Sequence, residues 1–342
     1  MENFTDILEK LSRGDDLTPD EASSALEAIV EGKINDPQTA AFLFGMRSKG
    51  ETIEELTAFV RVMRQAAVKP EVEVERAVDL CGTGGDQSGT FNISTASMFV
   101  VAGAGVPVLK HGNRSVSSKS GSADVLEELG AVINLKKQQV EQVYREAGLV
   151  FMFAPNFHPA MKHVMPARRQ LGMRTFFNIL GPLLNPAGVR RQVIGAFNRE
   201  TARQIAHILA NLETEFAYTV NAHDGLDEVS LTSQSEIYEL KDRFVSDAIT
   251  FDPRSLDFDW VDLQDLQGGD AETNAGILRN ILRNKAEPAQ RNVILLNAAF
   301  GIHASGKVEH LDEAKRLAAD SLDSGAAFDA LQRFIEATND VA

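Results

Sequence analysis

Cysteine is all but missing from this 342-residue chain: Cys81 stands alone. One thiol rules out an internal disulfide and any zinc site built from cysteines. No run of 18 apolar residues occurs, and the opening MENFTDILEK holds no apolar signal core. A membrane-spanning helix and a secretory leader are therefore not expected, and a cytoplasmic location is. Internal repeats and low-complexity linkers are also lacking. Charged residues at 24% and hydrophobic residues at 44% are ordinary for a globular protein, which sets aside disordered and fibrous classes. An excess of positive charge is missing too, with 34 Lys and Arg against 49 Asp and Glu. A nucleic-acid or membrane-surface binder would normally be basic, so neither partner is expected. At this length the usual domain size of ~150 residues favours two domains, which need no covalent staples.

Acids are themselves absent from two long segments. Ala147 to Arg199 holds none, although it holds Lys162, Arg168, Arg169, Arg174, Arg190, Arg191 and Arg199. Gln87 to Ala123 holds none either, beside Lys110, Arg114 and Lys119. In a chain with net charge −15 this pattern points to a bound anion. Chance and a buried interface are the plain alternatives.

The first 70 residues read as helices. Phe4, Ile7, Leu8 and Leu11 keep a helical spacing, as do Ala22, Leu26, Ile29 and Val30. Thr18 with Glu21, and Thr52 with Glu55, are capping-box pairs. Asp36-Pro37 opens a helix over Gln38 to Ser48. After Pro70 short apolar runs alternate with glycine-rich turns and helices. Ala77–Leu80 runs into CGTGGD, Val106–Leu109 into KHGNR, and Leu149–Phe153 into APNFH. Gln192–Phe197 and Phe216–Val220 repeat the theme, which is that of an α/β sheet with its ligand loops beyond the strand ends. Helical patterns return at Asn274–Lys285, Pro288–Phe300 and Leu311 to the end.

Several loops carry chemistry. Gly82, Gly84 and Gly85 let backbone N–H groups approach a phosphate, though they also suit a tight turn. Neither the dinucleotide fingerprint nor the P-loop spacing fits them. Asn92-Ile93-Ser94-Thr95 leads into an apolar helix. Alone it reads as an N-cap, and beside the glycines as a second wall of an anion site. Lys110 to Ser122 packs three cations, five hydroxyls and two glycines without an acid, the mixture a phosphate ester demands. Asp227-Glu228, in isolation an exposed turn, suits magnesium if that anion cleft is near. No HExxH spacing and no nucleophilic triad is legible, and His111 and His158 are as readily structural as substrate-binding.

Taken in order, GTGGD, NIST, KHGNRSVSSKSGSADVLEELG, FAPNFHPAMKHVMPARRQLGMRTFFNILGPLLNPAG and GLDE resemble the anthranilate phosphoribosyltransferases of tryptophan biosynthesis. The resemblance spans nearly the whole chain. It implies an α/β fold: a nucleoside-phosphorylase-like large domain with a central, mostly parallel sheet, plus a small all-helical domain. The small domain is placed at 1–72, joined by about 162–190, and the large one at 73–161 and 191–342. The implied pentosyl transfer is from 5-phosphoribosyl 1-diphosphate (PRPP) to the amine of anthranilate. Diphosphate is released and N-(5-phosphoribosyl)anthranilate formed, the second step from chorismate to tryptophan.

The same resemblance implies PRPP contacts at Gly82, Gly85, Asp86, Thr90, Asn92, Ile93, Ser94, Thr95, Lys110, His111, Gly112, Asn113, Arg114, Ser115, Val116, Ser117, Ser118 and Ser122. Anthranilate would meet Gly82, Asn113 and Arg168, with His111 and His158 beside it. Lys110, Asn113 and Arg168 would be the catalytic set. Ser94, Asp227 and Glu228 would hold Mg2+, two ions per monomer, in a homodimer formed through the helical part. Pyrimidine nucleoside phosphorylases share the fold, but they carry a serine after the histidine where this chain has Gly112. A non-catalytic nucleic-acid-binding relative is the other alternative, and it would be basic with a degraded acidic turn.

Overall fold

Local capping chemistry begins the fold. In the computed structural model, which describes residues 3–86, 88–115 and 119–342, four helices open the chain: α1 (Phe4–Ser12), α2 (Pro19–Val30), α3 (Asp36–Lys49) and α4 (Ile53–Gln65). Thr18 and Glu21 close a reciprocal capping box on α2, as Thr52 and Glu55 do on α4. The cap of α3 is Asn35, whose side chain accepts from the Gln38 N–H. Leu26, Phe42, Leu43, Met46, Leu56 and Phe59 are fully buried between these helices.

Among the described residues eight strands form one sheet: β1 (Val78–Gly82), β2 (Val108–Gly112), β3 (Leu149–Phe153), β4 (Arg191–Gly195), β5 (Phe216–Ala222), β6 (Ser235–Lys241), β7 (Phe244–Val245) and β8 (Ile249–Phe251). The order is β3-β2-β1-β4-β5-β6-β7, with β8 also paired to β6. The first five strands run parallel, and β6 to β8 join antiparallel. From β1 the chain winds outward to β2 and β3, then returns to β4 on the other side. The crevice of such a sheet opens at this reversal, beyond the carboxyl ends of β1 and β4.

Two apolar clusters sandwich the sheet. Leu80 belongs to one and the next residue, Cys81, to the other, as a strand buried on both faces requires. The first cluster includes α5 (Ile93–Gly103) and the helices Pro288–Ala304 and Ala326–Asp340. The second joins α1 to α4 with Val164, Ala167, Phe176, Leu180 and Leu183, and with the helix Arg199–Ala210. Arg64 Nε donates to the Leu183 carbonyl at 2.7 Å, tying α4 to that middle segment.

Three local expectations shift. The second strand is displaced C-terminally and takes in Lys110, His111 and Gly112, so the first two are buried strand residues. The helix expected from Leu311 to the end is two helices, Leu311–Asp323 and Ala326–Asp340, broken where Gly325 takes φ 84°. The antiparallel edge β6–β8 adds strands that sequence pattern alone does not reveal.

Candidate active site

The central strands β1 and β4 both end in glycine, and Gly82 lies in register with Gly195. Asp227, on the loop after β5, packs over both. A Cβ on Gly195 would lie 1.5 Å from the Asp227 carbonyl oxygen, and one on Gly82 2.6 Å from its Oδ2. The Gly84 N–H donates to the same Oδ2 at 2.9 Å. The glycines of GTGGD thus make room for an acidic turn 143 residues away. Gly84 and Gly85, at φ 65° and 81°, adopt the left-handed region that glycine enters without strain.

Glu228 reaches α5. The Ser94 N–H, in the first turn of that helix, donates to Glu228 Oε1 at 3.1 Å. The N-cap position is Asn92, whose side chain makes no cap bond. Its Nδ2 instead donates to the Ser120 carbonyl at 3.2 Å, and its Oδ1 accepts from Asn274 at 2.9 Å. The Thr95 hydroxyl donates to Ser122 Oγ at 2.9 Å. NIST therefore joins the acidic turn to the loop after β2, and the simple N-cap reading fails.

Lys110 projects from β2 into the same place. Its ammonium donates to the Leu80 carbonyl and to Ser94 Oγ, the latter at 3.2 Å. Only 1% of the residue is exposed. Its charge opposes the shifts of three carboxyls around it, Asp79, Asp227 and Glu228. Burial nonetheless raises Asp227, with Asp86 adding repulsion, and burial raises Glu228, with Asp227 adding repulsion.

A polar network backs the site on the other face of the sheet. Asp79 is fully buried, and burial pushes its carboxyl up to about 6. Its oxygens accept from the His111 N–H at 3.3 Å and from Asn185 Nδ2 at 2.8 Å. The rings of His111 and His158 meet edge to face with centroids 5.1 Å apart, and His158 Nε2 bonds the Leu184 carbonyl at 2.9 Å. Burial pushes His111 down to about 3 and His158 to about 4, so both stay neutral at pH 7.

Segments free of acids in sequence are not free of them in space. Arg114 pairs with Asp124 at 2.8 Å and with Glu127. Arg190 and Arg191 share Glu215, and Arg199 pairs with Glu236 at 2.7 Å. Those arginines have acidic partners, so the absence of acids from their own stretch of sequence does not leave them unpaired in space. Arg168 differs: its guanidinium lies 5.1 Å from the Phe177 ring centroid, its Nη1 contacts Met165 Sδ at 3.9 Å, and burial lowers its pKa. No ion pair involves Arg168 among the described residues. Asn113 is exposed, with its Oδ1 accepting from the Arg114 N–H at 2.8 Å. Asp86 accepts from Ser88 Oγ, and Thr90 forms a bridge with Gln267. Val116, Ser117 and Ser118 lie outside the described residues.

Two family models match the chain. One, "Glycosyl transferase family, helical bundle domain", covers residues 5–67, and the other, "Glycosyl transferase family, a/b domain", covers 74–328. The anthranilate phosphoribosyltransferase of Salinibacter ruber is 49% identical over 95% of both chains. That of Alkaliphilus metalliredigens is 46% identical over 98% of both. The chain belongs to the anthranilate phosphoribosyltransferase family. The crystal structure of that enzyme from Thermus thermophilus superposes with a TM-score of 0.91 at 35% identity, covering 97% of this chain and 99% of that one. The Saccharomyces cerevisiae enzyme, in complex with PRPP and Mg, superposes with a TM-score of 0.90 at 25% identity over 98% of both chains.

The acidic turn of this phosphoribosyltransferase-family chain suits magnesium on its own chemistry. Two carboxylates and the Ser94 hydroxyl are hard oxygen donors, and magnesium fills its remaining positions with water or phosphate. The upward shifts of Asp227 and Glu228 mark a place where negative charge is uncomfortable without a cation. Among the described residues no group of three or more His, Cys, Asp or Glu is placed to hold a metal ion by itself.

The structure also brings in residues that sequence reasoning passed over. Thr83, Phe197, Asp79 and Asn185 all bond or pack against the loops named above. Arg174 counted only as one cation among several, yet it touches the glycine loop directly. No spacing rule links these positions, because their contacts cross between strands.

Proposed function

We propose that the chain transfers the phosphoribosyl group of PRPP to the amine of anthranilate, releasing diphosphate, as the second step from chorismate to tryptophan. The observation that carries this reading is the convergence of Lys110, Ser94, Asp227 and Glu228 beyond the carboxyl ends of the central strands, in a chain of this family.

Residue roles follow from position. The Gly82–Gly85 loop, the Asn92–Thr95 turn and the Lys110–Ser122 segment form the walls that receive the diphosphate and ribose phosphate. Breaking the C1′–O bond leaves positive charge on the ribose and negative charge on the diphosphate. Lys110, held by Ser94, stabilises the departing negative charge without reorganising. Bound through Ser94, Asp227 and Glu228, magnesium would supply Lewis-acid charge neutralisation to the diphosphate. Two ions per monomer are proposed.

Arg168 offers a flat, acid-free fork to the anthranilate carboxylate, with Asn113 and the Gly82 backbone beside it. Neutral His111 and His158 wall that side. Anthranilate's amine is uncharged at pH 7, so it needs no strong base, in keeping with the missing triad. The partly buried floor keeps water, the competing nucleophile, from C1′.

We further propose a division into a helical domain of 1–72 with about 162–190 and an α/β domain of the remainder. Val164 to Leu183 share one apolar cluster with α1 to α4, which supports joining them, and the same cluster runs on into β1, β4 and the helix Arg199–Ala210, where the two parts meet. A cytoplasmic homodimer formed through the helical part completes the reading, with exposed Phe44 on α3 as an apolar contact. The direct test is product formation. With magnesium, PRPP and anthranilate, one diphosphate should appear for each anthranilate consumed. Phosphorolysis of uridine or thymidine with no anthranilate turnover would favour the nucleoside-phosphorylase alternative.

A further inference from the structure

The loops after β1 and β4 are joined by a closed circuit of contacts. The Thr83 N–H donates to the Gly195 carbonyl at 2.9 Å, and the Phe197 N–H donates to Thr83 Oγ1 at 3.0 Å. The guanidinium of Arg174 lies 4.6 Å from the centroid of the Phe197 ring. Its Nη2 donates to the Gly85 carbonyl at 2.8 Å. The circuit thus runs from Thr83 to Phe197 to Arg174 and back to Gly85, two residues after its start.

The fit is close on the loop side. A Cβ on Gly85 would lie 2.7 Å from Arg174 Nη2, so the guanidinium occupies the space a side chain would take. Arg174 itself is exposed, and among the described residues it has no acidic partner. With no acid holding it elsewhere among the described residues, the guanidinium is engaged by the Phe197 ring and the Gly85 carbonyl. Its flat fork can stack and donate at once, which a lysine ammonium cannot do.

We propose that Arg174 is a positioning residue for PRPP. Stacked on Phe197 and bonded to the Gly85 carbonyl, it holds the glycine loop in the shape that receives the diphosphate. The inference rests on the transferase reading above and assigns to that reaction a residue outside the ligand-contacting set. Its effect runs through Gly85, so it should govern PRPP and leave anthranilate nearly untouched.

Steady-state kinetics on the full-length protein test it, with wild-type turnover of anthranilate as the control for the reading itself. Arg174→Ala should raise the PRPP KM about tenfold or more while the anthranilate KM moves less than about threefold. The melting temperature without ligand should stay near wild type, and the PRPP-induced rise should shrink. Arg174→Lys, which keeps the charge and loses the stacked fork, should remain defective. Phe197→Leu should reproduce the defect, and the double variant should be no worse than Arg174→Ala alone. An active wild type with unchanged PRPP KM in Arg174→Ala, or full rescue by lysine, would overturn the proposal. Additive effects of the two substitutions would overturn it as well.

Discussion

A Cβ placed on Gly195 would stand 1.5 Å from the carbonyl oxygen of Asp227. The end of β4 therefore exists in its present form only because residue 195 has no side chain. The acidic turn rests directly on the sheet backbone, and no flexible side chain is available to give way. Gly195→Ala should displace Asp227, destabilise the fold by about 1–3 kcal/mol and abolish most turnover. Thermal melting together with an activity assay checks both effects.

Asp227 and Glu228 should matter to the reaction and hardly at all to the fold. Both carboxyls are raised by burial, so their charged forms oppose folding and a cation relieves that strain. The Asp227→Ala, Glu228→Ala double variant should melt no lower than wild type without magnesium. It should gain no stability from added magnesium and lose at least about 100-fold in turnover. Melting curves with and without the ion, set beside rates, provide the comparison.

Lys110 is a buried cation beside the acidic turn, bonded to the Ser94 whose N–H holds Glu228. Lys110→Met should lose most of the PRPP-induced thermal shift and about 100-fold in turnover, the scale of removing one preorganised electrostatic group. Differential scanning with PRPP alone, anthranilate alone and both together reads the ligand-specific loss.

Arg168 should act on the aromatic acid. Its guanidinium is partly desolvated over Phe177 and has no carboxylate partner among the described residues. Arg168→Ala should raise the anthranilate KM about tenfold or more and leave the PRPP KM within about twofold. Equal effects on both substrates would reject the assignment.

Stability toward acid should depend on His158. The folded chain keeps it neutral down to about 4, whereas the unfolded chain protonates it near 6.5. Between these values the unfolded state binds more protons, so stability falls as pH falls from 7 to 5. The loss from this one group is on the order of 1–2 kcal/mol at pH 5. Asp79, held up at about 6, works in the opposite direction over part of this range, so the test is a difference. His158→Gln keeps a donor for the Leu184 carbonyl and should lose less stability than wild type between pH 7 and 5, measured by denaturant melts.

Much of this architecture is legible in sequence because it is local. Thr18 with Glu21 and Thr52 with Glu55 announce their helices over three residues, and Leu149–Phe153 is bounded as its apolar run suggests. The site's loops were legible as loops through their glycines and hydroxyls. Their mutual placement was not. Asp227 meets Gly82, and Glu228 meets Ser94, only through the winding of the sheet. The same distance blindness made the acid-free segments misleading, since Glu215, Glu236 and Glu127 arrive from elsewhere in the chain. Lys110 looked like a loop cation and is a buried strand residue whose ammonium alone reaches the site.

The central claim is that Asp227, Glu228 and Lys110 form one site that transfers phosphoribose to anthranilate. Anthranilate fluorescence, followed after adding PRPP and magnesium to the wild type and to the two variants above, tests it most directly. The account predicts a steady loss of fluorescence with wild type, none when magnesium is chelated, and a loss slowed about 100-fold or more in each variant. Unchanged fluorescence with wild type, or wild-type rates in either variant, would contradict it.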